Sequence, residues 1–200
     1  MGNLRSVSNA LEVLGHEAKV TRDPQQIAAA DRVILPGVGA FGAAMANLIK
    51  FNLLDAVKDA AASGKPFLGI CLGMQLLMDE SEEQGRFQGL GVVPGKVLGF
   101  FQESDRNPHT ASLKIPHMGW NSIHINKDAP IFKDIPDASM VYFVHSFYVA
   151  PTSDVVAATT THGIDFCSVI WRDNIYATQF HPEKSGGVGL KMLANFVEAT

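Results

Sequence analysis

Two short apolar runs constrain the fold of this chain more than any other feature of its sequence. Residues 33–35 are Val-Ile-Leu and lead into Pro36-Gly37, and residues 67–70 are Phe-Leu-Gly-Ile and lead into Cys71. Continuous apolar runs of this length are typical of strands that are buried on both faces of a parallel sheet. Helical spacing of apolar residues surrounds them, over residues 4–14, 40–62 and 72–82. This alternation predicts an α/β fold in which a doubly wound, mostly parallel sheet is flanked by helices.

The second half of the chain reads as strands joined by short connections. Strands are predicted over residues 92–101, 122–125, 141–149, 155–160, 166–171 and 176–180, with a final helix over residues 187–199. These connections are too short for crossover helices, so we expect antiparallel additions to the sheet. Residues 103–110 are polar, contain a proline and read as a surface loop. No linker or repeat divides the chain, so residues 1–200 are expected to form one domain.

Smaller features of the first half complete the prediction of the fold. A short strand is expected over residues 18–21, followed by a turn at Asp23-Pro24. Asn52 is the expected N-cap of the second of two helices within residues 40–62. The chain opens on a helical pattern, whereas a doubly wound sheet normally opens on a strand. We therefore expect either that the sheet lacks its first strand or that the natural chain starts upstream of Met1.

Composition excludes several classes of protein. The 20 acidic and 16 basic residues give a net charge of −4, and no basic run is interleaved with aromatic residues, so nucleic acid is not an expected partner. No apolar stretch approaches the roughly 20 residues that span a membrane. The first residues also lack the apolar core of a signal peptide. Cys71 and Cys167 lie in different local contexts, so we interpret them as free thiols of a reducing cytoplasm.

Residues 69–73, Gly-Ile-Cys-Leu-Gly, form a thiol version of the G-x-S-x-G nucleophile elbow. A strand that ends at Ile70 and a helix that begins near Leu72 leave room only for a sharp turn, so small flanking residues are required. Such a turn holds the Cys71 side chain clear of the backbone, where the adjacent helix N-terminus favours negative charge. A small buried cysteine is the alternative interpretation, and we accept it for Cys167, which lacks the glycines.

A thiolate nucleophile needs a base, and the base needs an orienting group. His181 follows the strand predicted at residues 176–180, and Glu183 lies two residues beyond it, across Pro182. The proline stiffens the turn, so imidazole and carboxylate meet with little loss of entropy. Glu183 is then expected to fix the tautomer of His181. The other histidines form no metal-ligand spacing and are interpreted as solvated or structural, namely His16, His109, His117, His124, His145 and His162.

The loop Pro36-Gly37-Val38-Gly39 follows the first apolar run, at a strand end like Cys71. Two glycines around one valine give peptides that reorient cheaply. The loop is therefore a candidate for a second oxyanion donor beside the N–H of Leu72. A simple turn is the alternative, and the loop by itself favours it.

Together these segments resemble the class I, or triad, glutamine amidotransferases, and more closely the glutaminase subunits of imidazole glycerol phosphate synthase. The matching segments extend over nearly the whole chain, at residues 1–7, 35–42, 69–77, 89–91, 116–121, 142–148 and 179–185. The cysteine segment and the His-Pro-Glu segment identify the superfamily. Pro-Gly-Val-Gly-Ala-Phe-Gly at residues 36–42 and Met-Gly-Trp-Asn at residues 118–121 single out this group.

The resemblance implies a role for each matching residue. Cys71, His181 and Glu183 would be the catalytic triad, and Val38 and Leu72 would donate oxyanion N–H groups. Glutamine would be held by a larger set, namely Gly37, Gly39, Gln75, Glu83, His145, Ser146 and Phe147. Glu83 suits this set because a free amino acid carries an ammonium group. The residues directed towards a partner would be Asn3, Trp120, Tyr142 and Lys184, and no cofactor is implied.

The implied activity is hydrolysis of glutamine to glutamate and ammonia. The ammonia would pass to a cyclase subunit, a (β/α)8 barrel that makes imidazole glycerol phosphate and AICAR in histidine biosynthesis, within a heterodimer. Two alternatives stay open: the amidotransferase subunit of another synthase, and a non-catalytic interaction subunit of the same fold. Met-Gly-Trp-Asn speaks against the first alternative. The complete triad speaks against the second, whereas the absent first strand favours it.

Overall fold

The computed structural model describes residues 4–100 and 113–199. Its first half alternates helices and strands, in the order α1 (Leu4–Val13), α2 (Pro24–Ala29), β1 (Val33–Gly37), α3 (Phe41–Lys50), α4 (Leu54–Ala62), β2 (Phe67–Cys71) and α5 (Leu72–Leu76). Both apolar runs of the sequence are therefore strands, and each is followed by a helix. Every residue of β2 is buried, as expected of a central strand in a covered sheet.

The second half consists mainly of strands. They are β3 (Glu80–Ser81), β4 (Phe87–Gln88), β5 (Gly95–Gly99), β6 (His117–Ser122), β7 (His124–Ile125), β8 (Met140–His145), β9 (Phe147–Pro151), β10 (Val156–Thr161), β11 (Asp165–Arg172) and β12 (Ile175–Thr178). Short 3-10 helices at Pro130–Phe132 and Pro182–Lys184 precede the last helix, α6 (Gly186–Glu198). The predicted loop at residues 103–110 and His109 lie outside the described residues.

Most strands form one large mixed sheet in the order β1-β2-β12-β11-β9-β5-β3-β4. In addition, β10 pairs with β11 and with β7. Strands β6 and β8 form a separate two-stranded sheet, the β6–β8 hairpin. The α/β class, the flanking helices and the antiparallel additions are confirmed. The sheet is more evenly mixed than predicted, since the parallel pairs are β1–β2, β2–β12 and β3–β5, whereas β12–β11, β11–β9 and β9–β5 are antiparallel. Short connections account for the antiparallel pairs β10–β11 and β11–β12, because a parallel pair needs a longer crossover.

Two apolar cores lie on opposite faces of this sheet. Strand β2 supplies Leu68 and Ile70 to the core that also includes residues of α1, α6 and the β6–β8 hairpin. The opposite core includes Phe67 of the same strand with residues of α3, α4 and α5. Because successive side chains of a strand point to opposite faces, the sheet is covered on both sides, which is the doubly wound arrangement.

Several local predictions were wrong. Residues 18–21 are not a strand and pair with none of the described strands, and β1, which pairs only with β2 among them, is an edge strand. Asn52 adopts a positive φ of 54° instead of capping, and Leu53 is the N-cap of α4. Helix α2 was predicted only as a turn, although the Asp23 side chain caps it by accepting a hydrogen bond from the backbone N–H of Gln25. The helix predicted over residues 72–82 ends at Leu76, and the strand predicted over residues 141–149 is broken at Ser146.

Candidate active site

Cys71 occupies the sharp turn predicted between strand and helix. It is the last residue of β2, and α5 begins at Leu72. Its φ of 54° and ψ of −108° lie outside the regions that non-glycine residues normally adopt. Such backbone costs on the order of 1–3 kcal/mol and persists only where the surroundings enforce it. The cysteine is therefore held in an enforced, strained turn, as a nucleophile elbow requires.

The two glycines that flank Cys71 are required by close backbone contacts. A Cβ atom on Gly73 would collide with the carbonyl oxygen of Leu35 in β1, and a Cβ atom on Gly69 would lie 2.9 Å from the carbonyl oxygen of Gly73. Strand β1, strand β2 and the first turn of α5 can approach this closely only because both positions lack a side chain. The requirement for small residues that the sequence indicated thus has an identified cause at each glycine.

His181 and Glu183 lie beside this elbow because β12 pairs with β2. The two strands are parallel, with Thr178 opposite Ile70, so the residues that follow β12 emerge at the same edge of the sheet as Cys71. The Nδ1 atom of His181 is 2.9 Å from Oε1 of Glu183, and both side chains are buried. A carboxylate only accepts hydrogen bonds, so Nδ1 carries the proton and Nε2 is left to face the cysteine.

The electrostatics of His181 favour its charged form. Burial lowers the pKa of His181, but hydrogen bonds and charge interactions with Cys71 and Glu183 outweigh burial and raise the pKa to about 9. Because the thiol of Cys71 is among the groups that raise the pKa of the ring, a proton taken from sulfur is stabilised on His181.

Backbone hydrogen bonds fix the segment that carries His181. The His181 N–H donates to the carbonyl oxygen of Tyr142 at 3.0 Å. The Ser185 hydroxyl donates to the His181 carbonyl oxygen at 2.7 Å and accepts from the Tyr142 N–H at 3.0 Å. Strand β8, which contains Tyr142, is therefore tied directly to the histidine.

The loop at residues 36–40 lies against the elbow. A Cβ atom on Gly37 would lie 2.9 Å from Cβ of Leu72, so this glycine also permits a close approach. Gly39 has a φ of +96° and Val38 is 47% exposed, which leaves the peptide between them at the surface of the site. Glu83 accepts a hydrogen bond from the Phe41 N–H at 2.7 Å and so ties the start of α3 to the β3–β4 turn.

Two buried glutamines lie next to Cys71. The Nε2 atom of Gln75 donates to the carbonyl oxygen of Phe147 at 3.0 Å and to Oε1 of Gln179 at 3.2 Å. Gln179 in turn places its Nε2 atom 3.7 Å from the sulfur of Cys71. The His145 ring is buried with its Nδ1 atom 2.8 Å from the same Phe147 carbonyl. Its other ring nitrogen contacts His117 at 3.0 Å, so the side chain is bonded within the protein.

Residues 118–144 contribute an exposed apolar face near the site. Side chains of β6 and β8 alternate, so that Met118 and Trp120 are exposed while His117, Phe143 and His145 face the core. The rings of Trp120 and Tyr142 are 6.2 Å apart, and the Lys184 ammonium is 5.9 Å from the centre of the Tyr142 ring. Three of the four predicted partner-facing residues thus lie together, namely Trp120, Tyr142 and Lys184, and Asn3 lies outside the described residues.

Other features of the described residues lie outside this site. Cys167 is free and buried within β11, which raises the pKa of its thiol, as expected of a structural cysteine. Over residues 4–100 and 113–199, no three His, Cys, Asp or Glu side chains are grouped to hold a metal ion. Within the same ranges, none of the helices has the length and apolar character needed to cross a membrane. Cavities of about 260 and 440 Å³ are lined by α6 with the 3-10 helix at Pro130–Phe132 and by α2 with α4, away from Cys71.

Two residues of the site, Gln179 and Ser185, were not predicted from the sequence. Gln179 lies two residues before His181 at the end of a strand, so period-two alternation directs both side chains to one side. That alternation was a usable signal for Gln179. The contact between Ser185 and Tyr142 depends on the fold and had no signal in the sequence.

Comparison with known proteins identifies the family of this chain. The profile of the family Glutamine amidotransferase class-I matches residues 1–200. The chain is 52% identical to imidazole glycerol phosphate synthase subunit HisH of Syntrophotalea carbinolica, covering 98% of this chain and 95% of the relative. It is 51% identical to the HisH subunit of Geobacter metallireducens over 98% of this chain and 93% of the relative.

Solved structures share the fold at low sequence identity. A crystal structure of a glutamine amidotransferase superposes with a TM-score of 0.73 at 20% identity, covering 98% of this chain and 93% of the other. A glutamine amidotransferase from Thermotoga maritima superposes with a TM-score of 0.61 at 16% identity, covering 96% of this chain and 74% of the other. With the strained cysteine and its histidine partner, the full-length profile match shows that this chain belongs to the class-I glutamine amidotransferases, enzymes with cysteine-based catalysis.

Proposed function

We propose that this chain is the glutaminase subunit of an imidazole glycerol phosphate synthase. In this role it hydrolyses glutamine to glutamate and ammonia and passes the ammonia to a cyclase subunit in histidine biosynthesis. The observation that carries the proposal is the strained Cys71 beside His181 and Glu183, in a chain about half identical to HisH subunits over nearly its full length. The free thiols of Cys71 and Cys167 fit a reducing cytoplasm.

The reaction begins with the Cys71 proton resting on Nε2 of His181, in the charged form of the ring that its raised pKa favours. The thiolate attacks the side-chain carbonyl carbon of glutamine, and Glu183 holds the resulting imidazolium through Nδ1. His181 then gives its proton to the departing nitrogen. The C–N bond breaks, ammonia leaves, and the γ-glutamyl group remains on the Cys71 sulfur as a thioester. Water, deprotonated by His181, hydrolyses the thioester and regenerates the thiol as glutamate leaves.

The oxyanion of each tetrahedral intermediate needs backbone donors. We assign this role to the N–H groups of Leu72 and Val38. Leu72 is the residue after the nucleophile and opens α5. Val38 lies between two glycines, and Gly37 packs directly on Leu72, so a change in the orientation of the Val38 peptide brings its N–H towards the same space.

Glutamine is held by the residues that surround the sulfur. Gln179 contacts the Cys71 sulfur, and Gln75 joins Gln179 to the Phe147 carbonyl by hydrogen bonds. Ser146 separates strands β8 and β9 just before Phe147, and we assign the backbone groups at this break to substrate binding. Gly37, Gly39 and Glu83 border the opposite side of the elbow, where Glu83 offers a carboxylate for the substrate ammonium. We assign His145 a contribution through its backbone because its ring nitrogens are bonded within the protein.

The partner surface is the exposed face of the β6–β8 hairpin with Lys184. Its apolar side chains Met118, Trp120 and Met140 are 62%, 54% and 48% exposed. A contiguous apolar face of this kind marks an interaction site. We propose that it, together with Asn3, contacts the cyclase subunit, a (β/α)8 barrel, in a heterodimer.

Release of ammonia from glutamine, with and without the cyclase subunit, tests the proposal. The isolated chain is expected to turn over glutamine slowly, because an unregulated glutaminase wastes substrate, and the cyclase subunit with its nucleotide ligand is expected to raise kcat strongly. Cys71→Ser is expected to fold and to lose nearly all activity. If a different synthase raised the glutaminase activity instead, the chain would be assigned to that enzyme. If the wild type were inactive with every partner, the chain would be a non-catalytic interaction subunit.

A further inference from the structure

A row of partly to fully buried hydrogen bonds begins on β6, on the core side of the hairpin. Asn121 places its Nδ2 atom 3.2 Å from Nε2 of His117. The Nδ1 atom of His117 is 3.0 Å from Nε2 of His145. Nδ1 of His145 is 2.8 Å from the carbonyl oxygen of Phe147, which is the first residue of β9. Each link is within normal hydrogen-bond distance, so the row is continuous across the hairpin.

The same carbonyl continues the row to the nucleophile. Gln75 donates to the Phe147 oxygen and to Oε1 of Gln179, and Gln179 directs its Nε2 atom at the sulfur of Cys71. Gln179 is fully buried and Gln75 nearly so. We call the side chains of Asn121, His117, His145, Gln75 and Gln179, with the Phe147 carbonyl, the polar chain.

Only one assignment of protons satisfies every link on the hairpin side. A carbonyl oxygen cannot donate, so Nδ1 of His145 carries its proton and Nε2 accepts. Nδ1 of His117 must then donate, which leaves its Nε2 to accept from the amide of Asn121. Burial lowers the pKa of His117 to about 4 and the pKa of His145 to about 3, so both rings are neutral and each has the single N–H that this assignment needs.

The glutamine side of the polar chain is directional as well. Gln75 uses both hydrogens of its amide, one on the Phe147 carbonyl and one on Oε1 of Gln179. Because Oε1 of Gln179 is fixed as the acceptor, its NH₂ group must be the end that faces Cys71. The orientation of the Gln179 amide is therefore set by groups that do not touch the sulfur.

We propose that Gln179 is a positioning residue for Cys71, and that the polar chain from Asn121 holds its amide in the orientation that donates to the sulfur. This inference rests on the proposed function of the site. A donor aimed at sulfur stabilises the thiolate relative to the thiol and restricts where the thiolate points. The β6–β8 hairpin is therefore connected to the site in two ways. The Tyr142 carbonyl accepts a hydrogen bond from the His181 N–H, and Asn121 is connected to Cys71 by the polar chain.

Substitution of Gln179 tests the positioning role in the full chain with the cyclase subunit. Gln179→Met keeps the length of the side chain and removes the amide. We expect kcat to fall at least tenfold, as for loss of a hydrogen bond to a charged group, while KM for glutamine changes less than about twofold. Asn121→Leu, at the far end of the polar chain, is expected to lower kcat less and to leave KM unchanged.

Asn195→Leu is the matched control. Asn195 is a buried asparagine whose Nδ2 atom donates to the carbonyls of Ile131 and Lys133, outside the polar chain. This variant is expected to lower the thermal midpoint without lowering kcat of the folded fraction. A fall in kcat equal to that of Asn121→Leu would mean that general destabilisation explains both variants, and the positioning role would be withdrawn.

A double-mutant cycle tests whether the chain acts as a unit. In Gln179→Met the amide that Asn121 is proposed to orient is absent, so a change at Asn121 has no further effect on Cys71. The double variant Asn121→Leu with Gln179→Met should therefore be no slower than Gln179→Met alone. Strictly additive losses in the logarithm of kcat would overturn the coupling.

Nitrogen-15 NMR of the histidine rings tests the polar chain independently of activity. His117 and His145 should both carry their proton on Nδ1 at neutral pH, and a proton on Nε2 of either ring would overturn the assignment. Asn121→Asp replaces the donor by an acceptor of the same shape and should place a proton on Nε2 of His117. An active wild type whose kcat is unaffected by Gln179→Met contradicts this inference alone, whereas an inactive wild type with the assigned tautomers contradicts the proposed function alone.

Discussion

At the scale of single residues, the environment of His181 decides what the site can do. The ring is buried between a thiol and a carboxylate, and together these partners raise its pKa to about 9 from the ordinary value of 6.5. The raised pKa means that folding favours the protonated ring. The contribution of His181 to the free energy of unfolding is therefore fully present below pH 6.5 and is lost as the pH rises through about 9.

Thermal denaturation between pH 6.5 and pH 9 measures this contribution. The wild type is expected to lose more stability over this range than His181→Asn, which has no titrating ring at the same position. The ring signals of His181 in the wild type should titrate near pH 9, and Glu183→Gln should lower that midpoint because one raising interaction is weakened. Equal pH dependence in wild type and His181→Asn would contradict this account of the ring.

At the scale of elements, the site depends on how closely β1, β2 and α5 approach one another. The glycines around Cys71 predicted the sharp turn between β2 and α5. The contact of Gly73 with Leu35 in β1 was not predicted and is seen only in the fold. Other elements could not be predicted from the local sequence. Residues 18–21 have the composition of a strand but pair with no described strand, because pairing depends on the whole sheet and not on local composition.

Gly73→Ala tests the close approach at the elbow. The added Cβ atom would collide with the Leu35 backbone, which cannot move without displacing β1, so we expect a loss of about 3 kcal/mol in the free energy of unfolding. Gly187→Ala on α6 is the matched control, because a Cβ atom there has nothing within 4 Å. Its effect should stay within about 0.5 kcal/mol of the wild type. Similar losses in both variants by chemical denaturation would show that helix composition, and not the contact, governs stability.

At the scale of the whole molecule, the β6–β8 hairpin joins the catalytic edge to an exposed surface. Its apolar outer side chains and buried histidines follow from alternation along two strands. Sequence spacing could not predict that His117 and His145 are buried, because their burial depends on neighbours that only the fold brings together. The juxtaposition of Cys71 and His181 was predictable because Cys71 ends β2 and His181 comes shortly after β12, whereas the polar chain combines side chains from four separate segments.

Trp120→Ala tests whether this surface binds the cyclase subunit. A large aromatic side chain at the centre of an interface commonly contributes about 2 kcal/mol, so we expect the Kd to rise about 30-fold. Ile49→Ala is the control, since Ile49 is 63% exposed on α3, which covers the opposite face of the sheet. Calorimetric titration should separate the two variants, and an unchanged Kd for Trp120→Ala would remove the hairpin from the interface.

Covalent labelling of the intact chain by a glutamine-analogue chloroketone tests the central claim most directly, that Cys71 is the nucleophile. Peptide mass spectrometry is expected to find one adduct, on the sulfur of Cys71, with labelling slowed by excess glutamine and abolished in Cys71→Ala. An adduct on the buried Cys167, or labelling of Cys71 that glutamine does not slow, would contradict the claim.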